Sequence, residues 1–177
     1  MTCIRNHRRG GSSLIEFTLV GIPVIFVLIS TFEMARGMWL YHTLAYAARQ
    51  GTRYAIVHGV NCSLNGNTYC VTIPNIATVV RSAAVGLDPK QMTVTLTPSQ
   101  GSATTDTLDN LVNSSTYATT TWPPSSPTGT NAVGQLVQIS VVYPFNSGIC
   151  MFWPGTKPTG AVGLVYLPAS STDRIQF

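Results

Sequence analysis

Three histidines, four cysteines and six carboxylates are the side chains of this 177-residue chain on which acid-base, nucleophilic or metal chemistry could rest. His7, His42 and His58 all lie in the first 58 residues, so a Ser-His-Asp arrangement is not available in the remainder of the chain. Cys3, Cys62, Cys70 and Cys150 contain no C-x-x-C spacing, and no two histidines stand four apart, so no zinc site is expected. Asp106 and Asp109 are close enough in sequence for a carboxylate pair. They lie in a polar stretch where solvated side chains are the expectation. No glycine-rich phosphate loop is present. The reading is of a non-enzymatic protein with no catalytic residues, no metal and no cofactor. One carboxylate remains out of place, Glu16, at the edge of a long apolar run.

Composition supports the same direction. Only 9% of residues are charged while 45% are hydrophobic, and 38 serines and threonines supply the polarity that ions supply in an ordinary soluble domain. Low charge with high hydrophobicity is the opposite of the disorder signature. The net charge of +4 is confined to residues 1–58, where six arginines face two glutamates, and the rest of the chain balances. Nucleic-acid binding needs clustered positive charge on a binding face, so no nucleic-acid partner is expected.

Arg5, Arg8 and Arg9 precede LIEFTLVGIPVIFVLISTF, residues 14–32, in which Glu16 is the only ionisable side chain. Nineteen helical residues span about 28 Å, close to the hydrocarbon thickness of a bilayer. The arginines on the N-terminal side keep that end in the cytoplasm, giving a single-pass protein, N-in and C-out, anchored in inner-membrane lipid. The apolar run exceeds a signal-peptide core, and the following EMARGMWLYHTLAYAARQ continues as helix with no small-residue cleavage site. Leu40, Leu44, Ala47, Ala48, Gly51 and Ala55 recur at helical spacing, with His42, Arg49 and Arg53 on another face. One helix of about 70 Å therefore runs over residues 12–58. Pro23 reads as a kink of the kind that transmembrane helices tolerate.

The junction RRGGSSLIEF, residues 8–17, resembles a prepilin processing site of the type IV pilin superfamily. A basic leader ends in glycine, and a glutamate and an aromatic residue follow at the head of an apolar helix. The glutamate spacing selects Gly11 over Gly10 as the cut position, making Ser12 the new N-terminus, Glu16 the fifth residue and Phe17 its aromatic neighbour. More narrowly, residues 8–58 resemble the N-terminal helix of TadE-like minor pilins or pseudopilins of the tight-adherence (Flp) pilus system. The resemblance implies cleavage by a prepilin peptidase and assembly with other pilin or pseudopilin subunits through this helix. It also implies a role for Glu16, whose carboxylate would meet the free amine of a neighbouring subunit. A carboxylate at the lipid edge is costly and usually marks function. The alternative is an uncleaved, membrane-anchored periplasmic binding or adhesion module, with Glu16 reaching outward to the headgroups.

Residues 59–177 read as an α+β head. Pro74 and Asn75 start a helix with Ile76, Val79, Val80 and Ala83 on one face, ended by Gly86, and Asp88-Pro89 forms a turn. Strands are expected at 92–97 and 136–143, with a weaker one at 163–167. An antiparallel sheet from these strands, packed on the amphipathic half of the long helix, makes the pilin-like layout. Residues 99–130 hold fifteen serines and threonines and read as a loop without its own structure. Trp122 and Tyr117 make it either a contact surface or a solvent excursion. Cys62 and Cys70 are the leading disulfide candidates for an oxidising compartment, which leaves Cys150 over; pairing of either with Cys150, or a free Cys150 thiol, are the alternatives.

Overall fold

The computed structural model describes residues 12–58, 71–124, 129–147 and 164–176. The leader, the Cys62 and Cys70 disulfide candidates, Cys150 and the Gly11 side of the processing site lie outside the described residues.

Helix α1 runs over Ser12–His58, unbroken through Pro23. Its outer half buries Leu40, Leu44, Ala47, Ala48, Gly51, Thr52, Ala55 and Ile56 on a stripe that repeats every three or four residues. The small residues of that stripe let α2 (Ile73–Ala83) approach closely. Pro74 fits the first turn of α2, where a backbone N–H would have no helical partner, and Ile73, Ile76, Ala77 and Val80 face the core. Val79 and Ala83 lie at the margin, half-buried. Gly86 turns the chain after α2 with φ of +80°, and the Trp39 ring of α1 lies where its side chain would be.

The sheet has the order β2-β1-β3-β4, antiparallel throughout, from β1 (Thr93–Thr97), β2 (Thr104–Thr107), β3 (Leu136–Asn146) and β4 (Leu164–Arg174). Alternation places Val94 and Leu96 of β1 and Val137, Ile139, Val141 and Phe145 of β3 in the core. Each fully buried aliphatic or aromatic side chain of this set contributes about 1.5–3 kcal/mol of burial free energy. The two strand prolines occupy permitted places: Pro168 lies on the edge strand β4, and Pro144 lies beyond the end of the pairing with β1. Thr52, fully buried in α1, brings its hydroxyl to 2.9 Å from the Ala48 carbonyl and 3.3 Å from that of Ser171 in β4, linking helix to sheet.

The α+β layout of a long N-terminal helix and a small antiparallel sheet is as expected. Residues 99–130, however, are not a structureless loop. They contain β2 and the short helix α3 (Leu108–Asn113), whose Thr107 cap accepts from the Asn110 N–H and whose Leu108 and Leu111 are buried. Trp122 is core, only 3% exposed, and Tyr117 packs half-buried against the core and donates to Asp106 at 3.2 Å. The segment is tied to the start of α2 by Ile73 N–H to Thr120 and by Trp122 N–H to Val71, both at 2.9 Å. These two aromatic rings hold the described part of the segment to the head, so they form neither an exposed contact surface nor a solvent excursion.

Candidate functional site: the bare half of α1 and its collar

Among the described residues, nothing in the head covers the inner half of α1. Leu14, Ile15, Phe17, Leu19, Val20 and Ile22 are each more than half exposed, and the most apolar eighteen-residue window of the helix is uncovered by the rest of the protein. This helix is long and apolar enough to cross a membrane. Its hydroxyls suit an environment without water. Thr18 donates to the Leu14 carbonyl at 2.6 Å, Ser30 to Phe26 at 2.6 Å and Thr31 to Val27 at 2.8 Å, so each polar side chain is satisfied by its own helix.

Glu16 and Phe17 are exposed on the first turns of this bare segment, and Ser12 begins the helix. A second carboxylate, Glu33, closes the far end of the apolar run, seventeen positions on, which is about 26 Å along the axis. The two carboxylates therefore bracket a segment matched to bilayer hydrocarbon.

Glu33 stands at the start of the stripe that the head covers. Its side chain is 14% exposed, lies 3.6 Å from Arg36 and accepts from the Ser147 hydroxyl at 3.5 Å. The Arg36 guanidinium lies 5.4 Å from the centre of the Phe145 ring. These residues form a polar collar where α1 enters the head. Glu33 and Arg36 are not legible as a site in the sequence, because an i, i+3 pair after an apolar run looks like any helix surface. Their coincidence with the last uncovered apolar turn was the available signal.

In the head, Asp106 accepts from the Thr107 N–H at 2.7 Å, the Asn110 amide at 2.9 Å and the Tyr117 hydroxyl. The Asn110 hydrogen bond, with those of Thr107 and Tyr117, holds its carboxyl below the usual range against a partial desolvation, while burial, then the hydrogen bond to Asp106 and the Asp106 charge, push the Tyr117 phenol up. Asp109 instead accepts from Asn113 at 2.9 Å, so the two aspartates serve separate local turns and are not joined as a catalytic pair. Among the described residues no group of three or more His, Cys, Asp or Glu could hold a metal ion. His42 lies exposed on α1 with its ring edge-on to Tyr41.

Residues 11–53 match the family model described as TadE-like protein, a stretch that coincides with α1 from its first residue to within five of its end. No curated protein and no solved structure matches the chain significantly.

Proposed function

From a TadE-like helix at residues 11–53, we propose that this chain is a structural minor pilin or pseudopilin of a tight-adherence pilus. It is inserted N-in and C-out, cut after Gly11 by a prepilin peptidase, and assembled through the bare half of α1. The observation that carries the reading is where the family match begins: at residue 11, one before Ser12, with the first carboxylate of the proposed mature chain, Glu16, at its fifth position. A free amine at Ser12 and the Glu16 carboxylate of a neighbouring subunit would neutralise each other as helices stack in lipid, where neither charge is stable alone. The head, with its own core, gives the subunit a bulk that a helix-only filament subunit lacks.

The outer half of α1 has its apolar stripe covered by α2, β3 and β4 of the same chain. On this reading partner helices cover the bare apolar run of residues 14–32 while the head is displayed. In this account Cys62 and Cys70 close a disulfide at the exit from α1. Glu16→Ala separates processing from assembly: the variant is still cut after Gly11 but is recovered in filaments at a small fraction of the wild-type amount. Normal incorporation of that variant contradicts the charge-pairing role.

A further inference from the structure

Beside the collar is a hollow of about 220 Å³, lined by Arg36 and Trp39 of α1, Gly86 and Gln91 of the α2-β1 turn, and Tyr143 and Asn146 of β3. Its position follows from the helix. Phe32 ends the apolar run, so Arg36 stands about 6 Å and Trp39 about 10 Å beyond the hydrocarbon edge at 1.5 Å per residue. The headgroup layer of one leaflet is roughly 5–7 Å thick, which places Arg36 within it and the Trp39 backbone about 3 Å beyond it, within reach of a ring that leans toward the N-terminus as helical side chains do. An exposed aromatic ring at that level is the usual anchor of a membrane protein, and Trp39 is 52% exposed.

The chemistry of the lining selects the occupant. The Arg36 side chain is 48% exposed, and its approach to Glu33 at 3.6 Å uses one side of a group that carries five N–H donors. The Phe145 ring holds the guanidinium in place, which lowers the cost of ordering it on a ligand. The same hollow is lined by Asn146, by the Tyr143 ring and by Gln91, whose amide also donates to Asp88 at 3.2 Å, a lining suited to a small polar group with one negative charge. We propose that this hollow is a phospholipid headgroup site, in which Arg36 donates to the lipid phosphodiester while the acyl chains run down the bare face of α1. The proposal rests on the membrane placement given above. It adds to that placement a specific lipid contact, made jointly by helix and head, that fixes the depth and tilt of the head on the membrane.

The test uses the full chain, purified in a maltoside detergent and exchanged with phosphatidylethanolamine, phosphatidylglycerol or a phosphate-free galactolipid, with retained lipid read by native mass spectrometry. Wild type keeps one phospholipid and no galactolipid. Arg36→Gln weakens retention about tenfold or more, the loss of a charge-assisted hydrogen bond, and Arg36→Lys retains more than Arg36→Gln. Arg81→Gln, on the exposed side of α2, leaves retention unchanged. Equal retention by Arg36→Gln and wild type, equal binding of galactolipid, displacement by millimolar inorganic phosphate, or occupation of the hollow by a second copy of the chain overturns the proposal. The membrane placement is scored separately: a Phe26→Trp variant in vesicles is quenched by mid-chain brominated lipid if α1 spans the bilayer. Quenching there without phospholipid retention sinks the headgroup site alone, whereas absence of quenching sinks the placement itself.

Discussion

Gly51 of α1 lies so close to Val80 of α2 that a Cβ built on it would come within 2.6 Å of Val80 Cγ2, and within 3.3 Å of Ile139 Cδ1 in β3. Helix, helix and sheet meet at this one position. A β-branched valine has little rotamer freedom with which to yield. Gly51→Ala therefore forces α1 and α2 apart and destabilises the head by about 1–3 kcal/mol, the usual cost of overpacking, even though alanine is the better helix former. Thermal unfolding of the two proteins in the same detergent checks this; an unchanged or higher Tm for Gly51→Ala contradicts the packing account.

Asp106 and Tyr117 make the stability of the head depend on pH in a defined way. The carboxyl is depressed when folded, so its contribution is present above the ordinary aspartate value of 3.8 and is lost as pH falls through the lower folded value. The phenol is raised, so its contribution is present below the ordinary tyrosine value of 10.0 and is lost as pH rises through the higher folded value. Between those limits the head is expected to show a flat profile from this pair. Asp106→Asn removes the acid-side loss while lowering stability at neutral pH. An unaltered acid-side slope in unfolding of Asp106→Asn shows that other carboxylates carry it.

The cysteines give a chemical prediction. With Cys62 joined to Cys70, alkylation of the mature protein without reductant labels Cys150 alone, and reduction adds two further labels. Two labels at Cys62 and Cys70 without reduction remove the proposed staple from the exit of α1.

The long helix was legible in the sequence because two different periodic signals join end to end in it. The apolar run of residues 14–32 gives length, and the small-residue stripe from Leu40 to Ala55 gives the face that the head covers. Strand β1 was legible because its valine and leucine alternate with threonines. Two other elements were hidden for a physical reason. Thr104–Thr107 contains no apolar residue, and it becomes a strand by pairing with β1, with Thr105 and Thr95 sharing a hydrogen bond at 3.0 Å. Beyond Leu167, β4 continues through Pro168 into a polar stretch, and its pairing with β3 out to Arg174 is a long-range property that no local pattern carries. Helix α3 had a readable start in Thr107, but a six-residue helix with two leucines is short enough to pass for loop. Trp122 was misplaced because an aromatic ring among serines and prolines looks exposed until the segment is seen folded over α2.

In the sequence, Glu16 is singled out by its position relative to the glycines and the apolar run. Arg36 is not, since the headgroup hollow takes its walls from α1, from the α2-β1 turn and from the end of β3. These are brought together only by the packing of the whole head.

The central claim is that α1 becomes the N-terminus of the mature protein by cleavage, and it is tested most directly by the N-terminal sequence of the protein recovered from cells with an active prepilin peptidase. The account predicts a chain beginning at Ser12, with the basic leader gone and seven basic against six acidic side chains remaining. A mature chain that still begins at Met1 contradicts it, and leaves an uncleaved membrane-anchored module in place of a pilin subunit.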